Sequence, residues 1–191
     1  MVRTMIDNNW HPERHREYLR LLAQLRWPAK WWAKQDPSDI VQEALLRAHE
    51  HRDDLQNKPE AVRTAYLRRI LAATMVDALR RHGTIRRNAD LEQSLETDLE
   101  QSSLRVEAWL AAEQSSPSAQ AQKRELLVHL AEQLAKLPED ERTALELRYL
   151  SEPPVPLAEI AAQLGRPGAK AVAGLLARGL ARLRKLMGDN A

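Results

Sequence analysis

Residues 157–187 read LAEIAAQLGRPGAKAVAGLLARGLARLRKLM, and their spacing decides the fold class. Leu157, Ile160, Ala161 and Leu164 fall at i, i+3, i+4 and i+7, one apolar face of an α-helix. Gly165-Arg166-Pro167-Gly168 then interrupts the helix as a turn. A longer helix starts near Ala169, with Val172, Leu176, Leu180, Leu183 and Met187 facing inward. A short helix, a turn containing glycine and a longer helix make a helix-turn-helix signature.

The rest of the chain continues the helical spacing. Leu127, Leu130, Leu134 and Leu137 mark one helix, and Pro138 suits the first turn of the next, which runs to about Leu150. Ser151 to Pro156 carries three prolines and reads as a loop. Nearer the N-terminus, Tyr18, Leu21, Leu22 and Leu25 mark a helix ending near Pro28. Another starts after Asp36-Pro37-Ser38, with Ser38 or Asp36 as N-cap, and runs to about His51 with Val41, Ala44, Leu45 and Ala48 on its stripe. Arg52 to Pro59 reads as a loop, and a long helix follows from about Glu60 to His82, closed by Gly83. β-Branched residues are sparse and Phe is missing, so strands are not expected. The fold class is all-α.

The 191 residues suit one or two domains. With no Cys, a disulfide scaffold, a thiolate zinc site and a Cys nucleophile are excluded. No apolar run approaches the ~20 residues that span a bilayer. Met1 to Trp10 carries Asp7, Asn8 and Asn9 where a signal peptide needs an apolar stretch. A cytoplasmic protein without membrane insertion is expected. Net charge is only +2, but it is unevenly distributed. Residues 1–87 hold 17 basic and 11 acidic side chains, residues 88–122 hold one (Arg105) and seven, and residues 123–191 hold 11 and nine. The acidic stretch 88–122 is also rich in Ser and Gln and reads as a flexible linker with some helix around Leu104 to Ala112. Two helical domains, 1–87 and 123–191, would flank it.

Chemistry concentrates in basic faces. Gly174, Arg178, Arg182 and Lys185 share one face of the last helix, and Arg166 and Lys170 stand at its start. The second helix of such a motif enters the major groove with its N-terminal residues near base edges. Gly174 in a helix interior costs roughly 0.5–1 kcal/mol against Ala, which close approach of another backbone would explain. Residues 61–87 hold Arg63, Arg68, Arg69, Arg80, Arg81, Arg86 and Arg87 against the single acid Asp77, a pattern suited to phosphates. Tyr66 fits either a half-buried core position or stacking on a base. The cluster Trp27-Pro28-Ala29-Lys30-Trp31-Trp32-Ala33-Lys34 reads first as core, with stacking on unpaired bases or seating at a membrane surface as alternatives. His11-Pro12-Glu13-Arg14-His15 has its Glu one place late for a zinc protease motif and a proline where that motif needs helix. No catalytic constellation, cofactor or metal site is expected.

In this order along the chain, the segments resemble the small extracytoplasmic-function sigma factors of bacterial RNA polymerase. Residues 36–49, DPSDIVQEALLRAH, look like the region 2.2 helix, and residues 66–81, YLRRILAATMVDALRR, like regions 2.3 and 2.4. Residues 137–149, LPEDERTALELRY, and 157–165, LAEIAAQLG, look like region 4. The resemblance implies two helical domains that bring core polymerase to promoters. It implies that Asp39, Gln42 and Glu43 bind the clamp helices of the largest polymerase subunit. It further implies that the 52–59 loop and the next helix, with Tyr66, Arg68, Arg69, Arg80, Arg81, Arg86 and Arg87, capture a flipped base and the strand of the −10 element. Arg166, Lys170, Gly174, Arg178 and Arg182 would meet the −35 element, and an anti-sigma factor is a further expected partner. A stand-alone helix-turn-helix regulator and a polymerase-sequestering protein are the rival readings. The Asp39/Gln42/Glu43 face argues against the first, and the arginine-rich helix against the second.

Overall fold

The apolar stripes bury one another in two separate places. The computed structural model describes residues 10–27, 35–81, 89–113 and 120–188, all in helices, turns and connecting segments, with no strand among them. The chain divides into two compact units, Met1–Ser103 and Leu104–Ala191.

In the first unit a 3-10 turn, Pro12–His15, leads into α1 (Arg16–Arg26), which buries Tyr18, Leu19, Leu21, Leu22 and Ala23. Helix α2 (Pro37–Glu50) begins where Asp36 accepts a 2.7 Å hydrogen bond from the Ser38 amide, so Asp36 is the cap and Ser38 lies in the first turn. Ile40, Val41, Ala44, Leu45 and Ala48 form its buried stripe. The segment read as a loop opens with a short turn of helix, α3 (Arg52–Leu55). Asp53 and Asp54 sit in that first turn, where the helix dipole favours acids, and Leu55 anchors it in the core. Helix α4 (Glu60–Arg81) packs against α1 and α2, burying Leu67, Leu71, Met75 and Val76. Each such side chain contributes roughly 1.5–3 kcal/mol on leaving water. Thr64 and Thr74 keep their buried hydroxyls satisfied by donating to the carbonyls of Glu60 and Ile70.

The acidic stretch departs from expectation. Helix α5 spans Ala89–Glu113, far beyond the helix foreseen around Leu104 to Ala112, and its residues up to Ser103 belong to the first unit rather than to a linker. Leu99, Ser102 and Ser103 are buried there, and Leu91 and Leu95 half-buried. Tyr18 donates to Ser103 Oγ at 2.9 Å and Arg26 Nε to Ser102 Oγ at 2.8 Å.

In the second unit α6 (Gln120–Ala135), α7 (Glu139–Leu145) and α8 (Leu157–Gln163) pack on α9 (Ala169–Gly188). A π-helical turn, Glu146–Leu150, continues α7. Its wider spacing lets Ser151 close it by donating from its amide to Glu146 O at 3.0 Å. Trp109 stacks on Tyr149, with ring centroids 6.0 Å apart. Helix α9 buries Val172, Leu175, Leu176, Gly179 and Leu183, so the stripe read from spacing holds in part; Leu180 and Met187 are half-buried. Among the described residues no helix is long and apolar enough to cross a membrane.

Candidate nucleic-acid interface

Helix α2 presents its outer face to solvent because all its apolar residues but Leu46 are buried on the opposite side. Asp39 and Gln42 are exposed there and Glu43 half-exposed, and Leu46 lies one turn further along the same face. Glu43 is the busiest of these residues. Its Oε1 accepts from Arg47 Nη2 at 2.7 Å, and its Oε2 from Arg81 Nη2 at 2.8 Å. Arg47 also donates to Asp77 at 3.0 Å, and Asp77 pairs with Arg80 at 3.4 Å. The row Arg81–Glu43–Arg47–Asp77–Arg80 thus alternates in charge. Partial burial would lower the Arg47 pKa, but its bond to Asp77 and the Glu43 charge together raise it above the ordinary value. One of the three residues expected to meet polymerase, Glu43, and two of those expected to meet DNA, Arg80 and Arg81, therefore share one network. Half-exposed pairs of this kind contribute only about 0.2–1 kcal/mol each, so a phosphate can take Arg80 or Arg81 from its carboxylate at small cost.

Further up α4 the arginines separate. Arg69 is exposed, whereas Arg68 turns inward, donates to the Tyr18 hydroxyl at 3.3 Å and lies 3.8 Å from Glu100. One residue along a helix is a rotation of about 100°, so adjacent arginines point to different surroundings. Tyr66 is half-buried, with its ring edge-on to His51 at a centroid distance of 6.0 Å. Its phenol is pushed up by burial, with Asp54 and Glu50 adding to the shift and Arg69 opposing it. Asn57 and Lys58 of the loop are exposed. Trp27 is buried, consistent with the core reading of its cluster. Arg86, Arg87, Gly83, Lys30, Trp31, Trp32 and Lys34 lie outside the described residues.

In the second unit the turn between α8 and α9 opens on a left-handed glycine. Gly165 has φ +60°, its amide donates to Ala162 O at 3.3 Å, and the Arg166 amide donates to Ala161 O at 2.7 Å. These two bonds are a Schellman cap, which requires the left-handed residue Gly165 supplies. Arg166 pairs with Asp140, and Lys170 is exposed at the start of α9. Arg178 Nε and Arg182 Nε stand 3.5 and 3.4 Å from the carboxylate of Glu141, which is buried. Glu141 was not singled out from the sequence. The run Glu139-Asp140-Glu141 reads as an acidic first turn, and nothing in it marks the third member as the one facing α9. Both guanidiniums stay largely exposed, and each has five N–H donors, so Glu141 can orient them while leaving donors for phosphate.

The glycine that admits close approach is not the expected one. A Cβ on Gly174 would meet only the flexible tip of Arg178, at 3.3 Å. On Gly179 it would lie 3.1 Å from Leu145 Cδ1 and 3.3 Å from Glu141 Cβ. Gly179 is where α9 rests on α7, and Gly174 faces outward with the basic residues.

Residues 15–85 match the family model described as sigma-70 region 2, and residues 133–185 the model described as sigma-70, region 4. No curated protein and no solved structure matches the chain significantly.

Proposed function

We propose that this chain, which belongs to the sigma-70 family, is a member of its extracytoplasmic-function subgroup. As a sigma-70 family chain it directs RNA polymerase to promoters, with core polymerase and promoter DNA as partners. Such chains are DNA-binding initiation factors rather than enzymes. What supports the subgroup is the order and spacing of the two regions, with only residues 86–132 between the matched stretches. A cytoplasmic site and control by an anti-sigma factor go with that reading.

The carrying observation is that each unit holds a basic helix whose outward arginines are paired with acids of the same unit. In region 2, Arg80 and Arg81 are set by Asp77 and Glu43; in region 4, Arg178 and Arg182 by Glu141. Asp39, Gln42 and Glu43 on α2 would dock the clamp helices of the largest subunit. Lys170, Arg178 and Arg182, with Arg166 at the turn and the small Gly174 between them, would meet the −35 duplex. Tyr66, Arg69, Arg80 and Arg81, joined by Arg86 and Arg87, would take the −10 strand. Opening that element means flipping a base, at a few kcal/mol of lost stacking, which a pocket at the 52–59 loop and phosphate contacts would offset. Arg68 would support this surface from beneath, through Tyr18. Run-off transcription with purified core polymerase and genomic DNA tests the proposal. Discrete start sites that depend on the protein are expected, and none above core enzyme alone would refute it.

A further inference from the structure

Residues 10–15, which lie almost entirely before the matched region 2 stretch, touch both ends of the 52–59 loop. At the near end, Arg52 Nε donates to the Trp10 carbonyl at 3.1 Å, and Arg52 Nη2 lies 3.5 Å from His11 Nε2. At the far end, His15 Nε2 bonds Glu60 Oε1 at 2.5 Å. Glu60 Oε2 in turn pairs with Arg63 Nη2 at 3.0 Å. Arg63 lies over the Trp10 ring, 5.5 Å from its centroid, and the same ring stands edge-on to His15 at 6.1 Å. One aromatic residue therefore joins the two attachments.

These attachments are polar and partly buried. Trp10 is 1% exposed, His15 3% and Arg63 8%. Fastening a segment to a core needs only apolar contact, and burying an imidazole or a guanidinium costs free energy unless it is partnered. Polar joints fix direction as well as distance, because a hydrogen bond weakens steeply off its axis. Between the two joints the loop has its own order. The Gln56 amide donates to Arg52 O at 2.9 Å, the Lys58 amide donates to Leu55 O at 2.9 Å, and Leu55 is buried. Asp53, Asp54, Asn57 and Lys58 stay exposed. The loop is held at its ends and its root, with its polar side chains outward. Burial alone would raise the Glu60 pKa, but the His15 bond and the charges of His15 and Arg63 hold it below the usual carboxylate range. The far joint thus has an ionised carboxylate at neutral pH.

We propose that residues 10–15 form a brace that fixes both ends of the 52–59 loop and so sets its geometry for capturing the flipped −10 base. Trp10, His15 and Arg52 are positioning residues, acting through the loop rather than touching DNA. This rests on the base-capture reading given above, and the test separates the two. Full-length protein is assembled with core polymerase and bound to promoter forks that carry each of the four bases, in turn, at the unpaired position. Arg52→Met cuts the near joint, His15→Ala the far one, and His15→Gln keeps a donor toward Glu60. Discrimination among the four bases is expected to fall by about tenfold in Arg52→Met and His15→Ala, within the range that small misplacements cost, and to recover in His15→Gln. Affinity for core polymerase stays within twofold of the parent, since α2 is not altered. Variants that hold core polymerase and discriminate like the parent overturn the brace. So does joint loss of core binding, helicity and discrimination in both Arg52→Met and His15→Ala, which would make the segment a general support of the fold. If the parent itself shows no base preference, the base-capture reading fails, and the brace fails with it.

Discussion

Two glycines on one helix should respond to the same substitution with opposite signs. Gly174→Ala removes the backbone freedom of glycine in a helix interior, a gain of about 0.5–1 kcal/mol. Its new methyl meets only Arg178 Nη1, the end of a long exposed side chain that can swing aside. Gly179→Ala makes the same gain but pushes a methyl 3.1 Å from Leu145 Cδ1 and 3.3 Å from Glu141 Cβ. Carbon atoms rest about 3.5–4.0 Å apart, and although a leucine tip can yield, a Cβ fixed to the α7 backbone cannot. Overpacking of this kind costs about 1–3 kcal/mol, which at mid-range leaves a net loss of about 1 kcal/mol. In a unit of this size 1 kcal/mol corresponds to about 4–8 °C in melting temperature. Calorimetry of the full chain should therefore show the second unit melting roughly 4 °C higher in Gly174→Ala and roughly 4–8 °C lower in Gly179→Ala. The Gly179 variant should also bind −35 duplex more weakly, because lifting α9 from α7 moves Arg178 and Arg182 away from Glu141. Equal stabilisation by both substitutions would refute the close approach of α9 and α7.

Asp39→Arg, which leaves the Glu43 network intact, should abolish co-purification with core polymerase while circular dichroism stays unchanged. Replacing Arg80 and Arg81 by Ala should lower promoter opening in permanganate footprints and reduce the salt slope of single-strand binding by roughly 0.7 per lost phosphate contact. Replacing Arg178 and Arg182 should instead weaken upstream duplex binding and spare a template already unpaired at −10. Arg68→Ala should lower the melting temperature of the first unit by several degrees through its lost bonds to Tyr18 and Glu100, with the salt slope unchanged. Asp36→Ala should cost about 1 kcal/mol at pH 7 by removing the α2 cap. The Ser38 amide and hydroxyl hold the Asp36 carboxyl below its usual value of 3.8. The stabilisation is therefore complete above the unfolded value and is lost as pH falls through the lower folded one, so pH titration of parent and variant should converge only in strong acid.

Apolar spacing carried most of the fold. Ile40, Val41, Ala44, Leu45 and Ala48 leave one inward face for α2, and Pro37, Pro138 and Gly165 mark helix boundaries by fixed backbone preferences. What spacing could not convey was which polar residues would be covered. Arg68 and Arg69 are equivalent in composition, and only the position of Tyr18 and α5 decides that one is held inward. Gly174 and Gly179 differ likewise only in what lies opposite, and that depends on the docking of α7. The acidic stretch misled for a related reason. Its charge suggests a solvated connection, yet the small Ser102 and Ser103 accept bonds from Arg26 and Tyr18, a use that serines in polar sequence do not announce.

Helix α5 also limits how this chain can drift. Leu91, Leu95, Leu99 and Ser102 or Ser103 recur every three to four residues on its covered side, while Gln93, Ser94, Thr97 and Glu100 face out between them. Mutations in such a stretch are filtered by phase rather than by composition. An outward acid can become another polar residue at little cost, whereas deleting a single residue before Leu99 turns every later side chain by about 100°, bringing Glu100 to the buried place of Leu99 and Leu104 to that of Ser103. Lineages of this protein should therefore accumulate substitutions freely between 89 and 103 but almost no insertions or deletions there. A fragment cut at residue 87 would lose the partners of Arg26 and Tyr18 and fold less well than one ending at Ser103.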